Sequence, residues 1–113
     1  MSDSNETSKK IQELQVLEHN HQAFLMQKQT MQLELNEVLN ALDEVSNSKG
    51  EIYKVLGGIM MQADKEKTLK ELEEKKKVLE MRISAIEKQE QIIDEKISAI
   101  KKEITVLVGK TDK

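Results

Sequence analysis

Cysteine, proline and tryptophan are absent from this chain of 113 residues, and phenylalanine and tyrosine occur once each. The missing cysteine removes disulfides and thiol chemistry, and the missing proline means that no helix is broken by a lost amide donor. So few aromatic rings leave little bulk for a globular core. With 35% of residues charged and an apolar remainder of mostly Leu, Ile, Val and Met, the inventory is that of long helices. Charge of one sign is missing as well. The 18 basic residues are interspersed with 21 acidic ones for a net −3, which excludes the basic face of a nucleic-acid binder. The longest basic run, Lys75-Lys76-Lys77, lies among Glu71, Glu73, Glu74 and Glu80 and reads as a solvated helix face. The longest apolar run, Val55 to Met61, is far shorter than the ~20 residues of a membrane span. Residues Met1 to Ser8 lack the basic and apolar parts of a secretion signal, so a cytoplasmic location with no membrane partner is expected, and the glycosylation-like Asn5-Glu6-Thr7 has no consequence there.

What is present is periodic. Leu14, Leu17, His21, Phe24, Lys28, Met31, Leu35, Val38, Leu42 and Val45 advance by alternating threes and fours, the spacing of a coiled-coil seam. Leu69, Leu72, Lys76, Leu79, Ile83, Ile86, Glu90, Ile93, Ile97, Ile100, Ile104 and Leu107 do the same. Two helices are predicted, over 8–46 and 64–108, with Asp64 capping the second, Gly109 stopping it, and flexible ends. Their similar lengths suit an antiparallel pair. Pairs whose residue numbers sum to 114 stack Val45 on Leu69, Leu35 on Leu79, Leu17 on Ile97 and Leu14 on Ile100, and set every polar seam residue opposite an apolar one. A slide of one heptad, to 121, strands Leu69 and Leu72, so 114 is the expected register. Lys28, Lys76 and Glu90 are expected to reach past the seam to solvent on their long stems.

Between the helices, "EIYKVLGGIMMQAD" breaks the pattern. Adjacent Gly57 and Gly58 between two short apolar runs signal a β-hairpin over 51–63, because primed two-residue turns need positive φ. The pairs would be Leu56 with Ile59, Val55 with Met60 and Tyr53 with Gln62. One face then carries Ile52, Leu56, Ile59, Met61 and Ala63, and the other Tyr53, Val55 and Met60. A lone hairpin with two apolar faces and two open edges is marginal in water, so strands of other subunits are expected to complete the sheet. A phosphate-binding loop at Gly57-Gly58 is disfavoured, since neither glycine-motif spacing is present.

No catalytic set is visible, and neither an enzyme activity nor a cofactor or metal is expected. His19 and His21 are two apart, so on a helix they point to different sides, whereas helical metal pairs need a spacing of three or four. Met26 and Met81 fall on outer positions where flexible side chains could touch a bound polypeptide.

The segments "QKQTMQLELNEVLNALDEV" (27–45), "YKVLGGIMMQADKEK" (53–67) and "LEMRISAIEKQEQIIDEKI" (79–97) together resemble the archaeal-like beta class of prefoldin subunits over nearly the whole chain after residue 10. The resemblance implies a mainly α fold and a single prefoldin-like domain over 1–113: a long antiparallel two-helix coiled coil with a short β-hairpin that joins an intersubunit β-barrel. It also implies a hexamer of two alpha-type and four beta-type chains that holds unfolded client proteins at the coiled-coil tips without ATP and passes them to a cytosolic group II chaperonin. Met60-Met61 departs from the family's habit of β-branched residues there.

Two sets of candidate residues follow. Oligomerisation is assigned to Ile52, Tyr53, Val55, Leu56, Gly57, Gly58, Ile59, Met60 and Met61. Client binding is assigned to the arm tips, where Leu14 and Leu17 are joined by Ile104 and Leu107, which face Lys10 and Thr7, and by the off-seam Ile11, Val16, Val106 and Val108. The alternative is a structural coiled-coil tether that uses the hairpin only to oligomerise.

Overall fold

The computed structural model describes the backbone of residues 2–111 and the side chains of residues 5–109. Helix α1 spans Ser2–Asn47, strands β1 and β2 span Ile52–Leu56 and Ile59–Ala63, and helix α2 spans Lys65–Thr111. Both helices outrun their predicted ends, starting at Ser2 rather than residue 8 and continuing through Gly109. An interior glycine costs a helix only about 1 kcal/mol relative to alanine, and Gly109 does not adopt the left-handed conformation of a terminating glycine. Of the ends expected to be flexible, Met1, Asp112 and Lys113 lie outside the described residues. The chain forms two compact units, Gln29–Ser84 and the paired segments Met1–Lys28 and Ala85–Lys113.

In Gln29–Ser84 the seam is apolar except for Lys76, and Val38, Leu42, Leu79 and Ile83 are buried in it. Val38, Leu42 and Leu79 form its core, with Met31, Leu35, Leu69 and Leu72 packed against them. All are positions that the heptads assign. Leu79 is 3% exposed, so Leu79→Ala should cost about 2–5 kcal/mol, measurable as a lower midpoint in a circular-dichroism melt. The end of α1 and the start of α2 are tied by Lys65 Nζ, which donates to the Ser48 carbonyl at 2.8 Å. Asp64 caps α2 as expected: its Oδ1 accepts from the Glu66 amide at 3.3 Å.

In the other unit three polar side-chain contacts define the helix alignment. Lys10 meets Glu103 at 2.7 Å, His21 Nε2 meets Asp94 at 3.0 Å, and Lys28 meets Glu90 at 3.3 Å. In the 114 register Asp94 and Glu103 directly neighbour the residues facing His21 and Lys10. A one-heptad slide would put these two partners six to eight residues, about 9–12 Å, out of line. The expectation for Lys28 and Glu90 is corrected. They turn toward each other across neighbouring layers instead of reaching solvent, and only 13% of the Glu90 side chain is exposed. A carboxylate held that far from water is costly unless a cation compensates it. Lys28→Met alone should therefore destabilise by about 1–3 kcal/mol. Lys28→Met combined with Glu90→Leu should recover or exceed the native melting midpoint. Lys76 behaves as expected and stays at the surface, 4.0 Å from Glu80 one turn on.

Candidate functional site

The hairpin is built by its turn. Gly57 and Gly58 take φ of 55° and 81°, the double positive φ of a type I′ turn whose twist matches the strands. The register pairs Leu56 with Ile59, Val55 with Met60, Lys54 with Met61, Tyr53 with Gln62 and Ile52 with Ala63. Side chains alternate across the pleat. Ile52, Lys54, Leu56, Ile59, Met61 and Ala63 therefore share one face, and Tyr53, Val55, Met60 and Gln62 the other. Both faces are open: Leu56, Ile59 and Met61 are exposed on the first, and Val55 at 67% and Met60 at 68% on the second. Such a concentration of exposed apolar side chains marks an interaction surface.

Two polar contacts hold the hairpin. Tyr53 donates its hydroxyl to Glu51 at 2.9 Å, and Lys54 Nζ reaches Glu71 of α2 at 2.8 Å. The hydrogen bond from Lys54, followed by its charge, holds the Glu71 carboxyl below the usual glutamate range. A depressed carboxylate contributes at neutral pH and loses that contribution as pH falls through its folded pKa. Glu71→Gln should thus reproduce at neutral pH what acid does to the native chain: unchanged helicity with faster amide exchange in the hairpin. Sequence reading did not anticipate this pair, whose partners stand 17 residues apart with no periodic relation.

Near the start of α1 and the end of α2 the expected tip residues divide. Ile11, Val16, Val106 and Val108 are exposed, with Val16 at 59%. Leu14, Leu17, Ile104 and Leu107 are half-buried in the seam. An open groove of about 690 Å³ lies beside them, with Val16, Leu17, Ala99 and Ile100 as its apolar lining and Lys9, Gln12, Glu13 and Lys96 at its rim. Ala99 and Ile100 were not among the tip candidates, although the 114 register already set Ile100 on Leu14. Lys10 has its pKa raised by the hydrogen bond it donates to Glu103 and then by that carboxylate's charge. Met26 and Met81 are exposed on the outer helix faces. Among the described residues no group of three or more His, Asp or Glu side chains could hold a metal ion, and no helix is long and apolar enough to cross a membrane.

Two long helices paired antiparallel, joined by a β-hairpin with uncovered apolar faces, define a class of helical-hairpin subunit. The sequence model of a family described as "Prefoldin subunit" matches residues 8–111, and the chain belongs to that chaperone family. It is 44% identical over 66 residues to the prefoldin subunit beta of Thermococcus onnurineus (strain NA1), covering 57% of each chain. It is 33% identical over 79 residues to that of Saccharolobus islandicus (strain L.S.2.15 / Lassen #1), covering 68% of this chain and 63% of the relative. These matches thus span less than two thirds of the relatives' length. The crystal structure of the prefoldin beta subunit from Thermococcus strain KS-1 superposes with a TM-score of 0.83 at 32% identity, covering 89% of this chain and 90% of that one.

Proposed function

We propose that this chain is a beta-type subunit, acting as a single prefoldin-like domain, of a cytoplasmic hexamer with two alpha-type and four beta-type chains. The assembly holds unfolded client proteins at its coiled-coil tips without ATP and delivers them to a group II chaperonin. The observation that carries this reading is the hairpin, whose apolar residues are exposed on both faces while the seam of the adjoining helices is covered. Burying those faces requires strands from other subunits. Family membership supports the choice of partners, and the apolar groove beside Val16 and Leu17 suits an unfolded chain.

The test is co-expression with alpha-type candidates, measurement of the native mass, and an aggregation assay with a chemically unfolded protein. A hexamer that suppresses aggregation at near-stoichiometric ratio is the expected result. A correctly assembled complex with no suppression would make the protein a tether.

A further inference from the structure

In the unit Gln29–Ser84 the helices expose four large apolar side chains besides those of the hairpin: Leu33 and Leu39 on α1, and Val78 and Met81 on α2. They are not scattered. Leu33 and Leu39 lie on a ridge that runs from Gln29 through Asn36 to Asn40 and carries no charge, in a chain with 35% charged residues. Val78 and Met81 are neighbours one turn apart. Residues whose numbers sum to 114 share a height in the helix pair, so Met81 stands level with Leu33, and Val78 with Asn36 between the two leucines. Both clusters face away from the seam, with Leu33 at 65% and Met81 at 71% exposed, and cannot meet within one chain.

The hairpin indicates where a neighbour stands. A strand added antiparallel to the free edge of β1 sets its own end beside the start of β1. When that strand is β2 of a second copy, the first turn of the copy's α2 comes beside the last turn of α1, and the two helices leave the sheet side by side. We infer that the uncharged ridge of α1 packs against Val78 and Met81 of a second copy in the oligomer proposed above, on which this inference rests. Leu39 and Leu33 lie about 12 and 21 Å along α1 from its end at Asn47, so the contact continues the hairpin interface along the helices. Charge agrees with this pairing. Glu37 at the rim of the ridge has the height of Lys77 at the rim of the α2 cluster, and neither has an ion-pair partner of its own among the described residues. Area agrees as well. Stable interfaces bury about 1,200–2,000 Å² in all, and a strand edge of five residues, about 17 Å long, needs adjoining surface to reach that.

Because the chain has no cysteine, the contact can be trapped. Subunits with Leu33→Cys and subunits with Met81→Cys would be assembled together with cysteine-free alpha-type chains and treated with a short bis-thiosulfonate linker. A covalent pair of the two variants is expected from the mixture, and none from either variant assembled alone. An assembled complex that yields no such pair, or that links Leu33→Cys to itself as readily, overturns the inference while leaving the oligomer reading intact. An unmodified chain whose native mass stays monomeric with every alpha-type partner would instead defeat that reading. Leu33→Glu, which puts a carboxylate into the contact, should raise the concentration at which the complex dissociates by about tenfold, and Met81→Lys in the same chain should restore it, with helicity unchanged throughout. Dissociation unaffected by Leu33→Glu, or not restored by Met81→Lys, also overturns the inference.

Discussion

Val55→Pro is expected to dissolve the assembly while leaving the helices folded. The two-residue turn closes on Leu56 and Ile59, so that pair, Lys54 with Met61, and Ile52 with Ala63 exchange the hairpin's own hydrogen bonds. Tyr53 and Val55 then direct their amides and carbonyls outward, along the free edge of β1. Proline at 55 deletes one outward donor and leaves the internal ladder in place. An acceptor left unsatisfied in a buried interface costs about 1–3 kcal/mol, or roughly ten- to a hundredfold in affinity at each junction. In the proposed oligomer the loss recurs at every copy, so sedimentation should show monomers and small oligomers with native helicity. Proline at Lys54 is the contrasting case, because it removes an internal bond and should open the hairpin itself. A Val55→Pro complex that sediments as an intact hexamer with unchanged helicity would refute the assignment of the hairpin to assembly.

Truncation before Glu18 and after Glu103 is expected to do the reverse, preserving assembly and abolishing aggregation suppression. The cut removes Ile11, Leu14, Val16 and Leu17 from one helix and Ile104, Val106, Leu107 and Val108 from the other. It spares the covered core around Val38, Leu42 and Leu79, the polar contacts at Lys28 and His21, and the hairpin. On the proposed reading each arm touches an unfolded chain weakly and later contacts in one oligomer are intramolecular, so losing all of them should reduce avidity by about a hundredfold or more. Full suppression by a truncated, correctly assembled complex would place the client surface nearer the hairpin end.

The seam was legible because it is a period. Leu35, Val38, Leu42, Leu79 and Ile83 recur by threes and fours, and spacing of that kind is a property of one helix at a time. The hairpin was legible because two adjacent glycines admit a backbone that other residues resist, and that turn fixes every pair from Leu56 with Ile59 to Ile52 with Ala63. The helix ends were not. Gly109 carries the signal of a terminator, but a small propensity cost is overridden when the turns before it are already paired.

Partner choice was equally closed to sequence reading. Lys28 and Glu90 each have a stem long enough to reach water or a neighbour, and only the spacing of the two helices decides between them. The same holds for Lys54 and Glu71, brought within 2.8 Å by the hairpin's placement over α2. By itself the sequence determined two heptad helices and a glycine-turned hairpin, since these rest on local periodicity and backbone sterics. Tertiary structure decided which charges pair and which apolar side chains remain uncovered, because both depend on distances between segments far apart in the chain.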